Sequence, residues 1–243
     1  MATNLVSYGL QYGCMLIEAA LLCYCVALAR RAKKELTPVL YLGALLGAAL
    51  ARSSVLRIYG YRSPQYKYVY WTTDFLLVIA AFLLVCLFFR RACSYQEKLW
   101  RFVRLLLSFI FVLVVGISGL SFLAHYPQFS NSYITEFSQN MYFTCLVLNT
   151  LLYLMLQQFE STDDRLGLLV CGVGIQFAAP AASMALCHLT TGEQFAASLA
   201  SVTLPVCSLG MLLIWAYALV LVSDKGTKGA RHKTPAFAEV TAD

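Results

Sequence analysis

Three charged residues, Glu18, Arg52 and Asp74, lie inside stretches that are otherwise apolar. A charge at the depth of hydrocarbon is costly, so such residues face a bundle interior or a water-filled cavity and pair with one another. Their depths follow from the 1.5 Å rise of a helix, counted from the basic ends of their stretches. Asp74 stands about 22 Å from Phe89, Arg52 about 21 Å from Pro38 and Glu18 about 17 Å from Ala29. Arg52 and Asp74 therefore share a level, and an arginine side chain has the length to reach down toward Glu18. The expectation is a buried ion-pair cluster of Glu18, Arg52 and Asp74 joining the first three helices. Two uses are open to it: fixing helix register, or serving as a gate, proton site or ligand anchor.

Two further polar residues fall at comparable depth. Asn149 lies about 15 Å from Phe159, and Gln176 about 15 Å from Leu166. Pro180 displaces the carbonyl four residues earlier, that of Gln176 itself, and Pro205 does the same to Ser201. Membrane helices tolerate such breaks where neighbours satisfy the freed groups. Transporters place binding sites at them, although packing kinks use the same geometry. Tyr70, Trp71, Asn149, Gln176 and Pro180 are thus the residues of a ligand or transport path, if there is one.

Other chemistry is absent from the sequence. It holds no glycine-rich phosphate loop, no His-Glu-x-x-His and no Gly-x-Ser-x-Gly. No enzyme activity, no metal site and no resident cofactor is expected. His125 and His188 fall at the outer ends of two apolar stretches, where axial ligation of a haem is geometrically open; an interfacial role accounts for each more simply. Eight of the nine cysteines sit within apolar stretches, which reads as small apolar packing residues and not as a disulfide framework.

The elements that must position these residues are plain. Seven apolar stretches, near 5–29, 38–58, 66–89, 99–124, 137–159, 166–190 and 197–222, occupy most of the 243 residues. A membrane span needs about 20 such residues. The chain is 60% hydrophobic and 12% charged, half the charge of an ordinary soluble domain. The fold class expected is all-α: a polytopic bundle of seven transmembrane helices over residues 1–223, followed by a short disordered cytoplasmic tail, 224–243.

The basic residues set the orientation. Arg30, Arg31, Lys33, Lys34, Arg90, Arg91, Lys98, Arg101, Arg104, Arg165, Lys225, Lys228, Arg231 and Lys233 are fourteen of the eighteen, and all fall on one side. By the positive-inside rule that side is cytoplasmic, with the N-terminus outside and the C-terminus inside. The net charge of +6 is thus a membrane signature, and no nucleic-acid partner is expected. Residues 1–4 lack the basic start of a signal peptide, so the first stretch is expected to be retained.

Ten of the fifteen tyrosines (8, 12, 59, 61, 66, 68, 70, 126, 133 and 142) fall near the outer face. They read as an aromatic belt at headgroup level, or as an aromatic vestibule for a ligand. Between the second and third stretches, residues 59–65 form a short outer turn punctuated by Gly60 and Pro64. The longest outer loop is expected at 125–139. Gly43 and Gly47, with Ala51 one turn on, form a small-residue stripe for close contact with another helix of the bundle or another copy of the chain.

Tyr68-Val69-Tyr70-Trp71, followed by Asp74, resembles a group of uncharacterised bacterial seven-span membrane proteins, over about 30 residues; the resemblance implies no activity. The layout is also similar in topology to that of G-protein-coupled receptors, but their Asp-Arg-Tyr and Asn-Pro-x-x-Tyr are missing here. Two functions fit these features. One is an inner-membrane protein of sensor-like or accessory-subunit type that acts through a cytoplasmic or membrane partner, a bound lipid or a small ligand. The other is a small-molecule or proton-linked transporter with a mid-membrane polar site.

Overall fold

The turn between the second and third apolar stretches shows how local sequence shapes the bundle. Gly60 adopts φ +77°, a left-handed conformation that costs glycine nothing, and its N–H closes the preceding helix on Leu56 O at 3.0 Å. Ser63 then caps the next helix, its hydroxyl oxygen accepting from Tyr66 N at 3.1 Å, with Pro64 in the first turn where no N–H is needed. So short a connection forces the two helices into antiparallel contact.

This computed structural model describes residues 2–32, 36–60, 63–94, 97–124, 131–158, 164–189 and 203–220; side chains at 2–8, 10, 11, 28–32, 36, 120–124, 131–136 and 183–189 lie outside the described set. The helices are α1 (Ala2–Ala32), α2 (Leu36–Tyr59), α3 (Pro64–Ala92), α4 (Glu97–Ala124), α5 (Asn131–Gln158), α6 (Asp164–Leu189) and α7 (Thr203–Val220). Among the described residues there is no strand. Six of the helices, α2 to α7, are long and apolar enough to cross a membrane. The apolar part of α1 among the described residues, Tyr12–Ala27, is shorter.

Apolar side chains cover the outside as well as the inside. Leu16, Ile58, Leu83, Leu105, Phe109, Val112 and Leu213 are all exposed. A helix that is apolar all round belongs in hydrocarbon or deep in a large core, and these helices surround only one thin core. The chain is a multi-pass integral membrane protein.

Consecutive helices from α1 to α6 pack against one another, and α3 also packs on α5. The core is built from Val78, Phe82, Val85 and Phe88 of α3, Met141, Cys145 and Leu152 of α5, Leu169, Val173 and Phe177 of α6, and Met211, Trp215 and Leu219 of α7. Helix α4 stands at the periphery, leaning on α5 and α3 through Val103, Leu107 and Val114.

The expected outer loop 125–139 is corrected: α5 begins at Asn131, so residues 131–139 are helical. Once a helix is nucleated each added residue gains a bond, and polar residues can extend it past the apolar section. Pro180 does not end α6, which runs on to Leu189. The tail 224–243 and His125 lie outside the described residues, as does the side chain of His188.

Candidate functional site

The polar residues form two centres. In the first, α2 supplies Arg52 and α3 supplies its polar and aromatic partners among the described residues. Arg52 Nε donates to Thr73 Oγ1 at 2.7 Å, and Nη2 donates to Tyr70 O at 3.3 Å. The same Nη2 stands 3.6 Å from Asp74 Oδ1. The guanidinium carbon lies 4.3 Å from the centroid of the Tyr70 ring, the stacked cation–π arrangement that arginine favours. Thr73 Oγ1 in turn donates to the carbonyls of Val69 at 2.8 Å and Tyr70 at 2.9 Å, which leaves a lone pair facing Arg52. Residues 70, 73 and 74 lie on one face of α3, and the antiparallel α2–α3 pair brings Arg52 to it.

Two sequence expectations need correction here. Arg52 and Asp74 do pair, but the pair is only partly buried, with side chains 22% and 25% exposed. Glu18 does not join it: among the described residues Glu18 makes no ion pair, and its Oε2 is buried without a hydrogen-bond partner. The physical reason is supply. One neighbouring helix offers Arg52 a hydroxyl, a carbonyl, a carboxylate and a ring, so its Nε and Nη2 are engaged without reaching α1. Trp71 is half-buried on α3 and makes no polar contact among the described residues. Nearby, Arg57 Nη2 donates to Tyr12 OH at 3.5 Å, tying α2 to α1.

The second centre lies among α1, α2, α5, α6 and α7. Tyr41 OH donates to Gln176 Oε1 at 3.1 Å, and its ring sits 6.0 Å from that of Trp215. Trp215 Nε1 donates to Leu169 O at 3.0 Å, and Asn149 Nδ2 donates to Val170 O at 3.0 Å. Two successive carbonyls of α6 therefore take side-chain donors from α7 on one side and α5 on the other. Glycines make this approach feasible. A Cβ at Gly172 would stand 2.8 Å from Trp215 Cδ1, and one at Gly174 would stand 2.9 Å from Asn149 Nδ2. Cys14 Sγ lies 3.6 Å from Pro205 O, linking α1 to α7. Glu18 stands one turn along α1 from Cys14, on the same face and so beside this centre. Asn149 Oδ1, like Glu18 Oε2, is buried without a partner among the described residues.

Sequence reasoning picked out Asn149 and Gln176 but missed Tyr41, Thr73 and Trp215. Trp215 carried a signal: a tryptophan in mid-helix must bury its ring and still find an acceptor for its N–H. Tyr41 was one of the five tyrosines away from the outer face, near the start of its helix. Pro180 contributes no described polar contact. Gly43 faces α1, with Leu22 Cδ1 4.0 Å from where its Cβ would be, whereas nothing lies within 4 Å of that position at Gly47.

The described tyrosines do not gather into an aromatic cluster. Tyr12, Tyr59, Tyr68 and Tyr70 are exposed, Tyr66 and Tyr70 are 6.3 Å apart, and Tyr142 turns inward against Phe177 at 6.3 Å. Among the described residues no group of His, Cys, Asp and Glu could hold a metal ion. No protein-family model matches this chain, and no curated protein or solved structure is found to be similar to it.

Proposed function

We propose that the chain is a seven-span inner-membrane protein, N-terminus outside, of sensor-like or accessory-subunit type, working through a partner protein, a bound lipid or a small ligand. The observation that carries this reading is the occupancy of Arg52. Its guanidinium is engaged by Thr73, Tyr70 and Asp74 of a single helix, which suits a register lock better than a group left open to a passing solute. The tight seating of Trp215 against Gly172 supports it further, since a packed centre transmits a displacement from one face to another. The exposed tyrosines near the α2–α3 turn suit a headgroup-level aromatic layer on the outer side.

The test is purification in a mild detergent with mass spectrometry of what remains bound. A stoichiometric protein or lipid that leaves when the bundle is unfolded supports the reading. It is overturned if the protein alone, in sealed vesicles, carries protons or a solute across the membrane.

A second reading, a proton-linked transporter, is favoured by Glu18 Oε2 and Asn149 Oδ1. Buried polar atoms without protein partners are where a water, a proton or an ion is accommodated. In that case Glu18→Gln abolishes flux in vesicles and leaves folding intact.

A further inference from the structure

We propose that the outward face of α4 holds an anionic phospholipid, with its phosphate on Lys98 and Arg101, Arg104 reaching it from the flank, and an acyl chain along the groove that opens beside them. The groove has a volume of about 530 Å³ and is lined by Phe102, Leu105, Leu106, Ser108, Phe109 and Val112. Five of these six are apolar. At 100° per residue they fall on one side of the helix, opposite Val103, Leu107 and Val114, which face α3 and α5. Lys98 and Arg101 are exposed on that same outward side, at the start of the helix, and Arg104 is exposed on its flank.

Three arguments select an anionic lipid. The first is charge. Three cations against the single acid Glu97 in the first turn leave a positive end, to which the helix N-terminus adds its own partial charge. The second is direction. Helical side chains tilt toward the N-terminus, so the Arg101 and Arg104 head groups extend away from the groove toward the water interface, where a lipid phosphate sits. The third is length. From Phe102 to Val112 the helix rises about 15 Å, half of a hydrocarbon core about 30 Å thick, so the groove spans one leaflet. A protein partner would need none of these matches. The inference rests on α4 crossing a membrane and is independent of the accessory role.

The experiment reconstitutes the full chain in nanodiscs of mixed phosphatidylglycerol and phosphatidylcholine, transfers it to mild detergent and counts retained lipids by native mass spectrometry. Phosphatidylglycerol is expected to be retained over phosphatidylcholine, with the preference falling as salt rises. Each cation removed should cost about fivefold, so K98Q/R101Q/R104Q should cut the preference on the order of 100-fold. The single variant R101Q gives a reading if the triple variant fails to fold. Arg90→Gln, an exposed cation at the end of α3, should change nothing. Phe109→Ala should weaken both lipids alike. Equal retention of the two lipids overturns the proposal, as does an unaffected triple variant or a loss with R90Q equal to that with R101Q. So does disulfide cross-linking between copies through Leu105→Cys, which would assign the face to a second copy of the chain.

Discussion

Replacing Gly172 with alanine tests the packed centre most directly. The new Cβ would lie 2.8 Å from Trp215 Cδ1 and 3.0 Å from Trp215 Nε1, closer than side-chain carbons approach. Trp215 is fully buried, so its indole can yield only by displacing α7 or turning in place. Turning breaks the bond from Nε1 to Leu169 O. Overpacking costs about 1–3 kcal/mol, the lost bond adds roughly 0.5–1.5, and alanine's better helix propensity returns about 1. The net expectation is a loss of about 0.5–3.5 kcal/mol. The assay is reversible unfolding by denaturing detergent in mixed micelles, followed by tryptophan emission; Trp215 is one of only three tryptophans in the chain. Gly47→Ala is the control, because its Cβ meets nothing within 4 Å, and it should be neutral or stabilising. If G172A and G47A unfold alike, with unchanged emission, the close seating of α7 on α6 is wrong.

Three other outcomes are expected. Arg52→Ala strands the Asp74 carboxylate and should cost about 1–3 kcal/mol, below the value for a fully buried pair because this one is partly exposed. Asp74→Asn should cost less, since Arg52 keeps Thr73 and Tyr70; equal losses in the same unfolding titration would contradict the shared-acceptor geometry. Gly60→Ala should cost about 1 kcal/mol, because φ of +77° is strained for any side chain; an unchanged midpoint would place the turn elsewhere. In the α3–α4 turn, burial pushes the Cys93 thiol above its ordinary value of 9.0. The folded protein should therefore keep it protonated at neutral pH and alkylate slowly there, with labelling rising above pH 9. Because the unfolded chain ionises first, any effect of this thiol on stability should be nil below pH 9 and adverse above it, a dependence that Cys93→Ala should remove.

The membrane class and the helices could be read from the sequence because they are local properties. Runs of twenty apolar residues have few homes other than lipid, and Gly60, Ser63 and Pro64 specify their turn by backbone preference alone. That Arg52 would meet Asp74 was also legible, because a short turn makes α2 and α3 neighbours and similar depths, counted from the basic ends of the two stretches, put the residues level. The limit of that counting shows at Tyr41 and Gln176, which bond although they stand about 8 Å and about 18 Å above the starts of α2 and α6. Those helices are not sequence neighbours, and their ends are not flush. Which face of α1 carries Glu18 inward, that Trp215 seats on Gly172, and that α4 packs on α5 and α3 at the bundle's edge were decided by packing of the whole bundle. The apolar pattern could not announce these choices: when lipid and core are equally apolar, hydrophobicity does not say which side of a helix is inside, and only shape and hydrogen-bond complementarity between helices distant in sequence can.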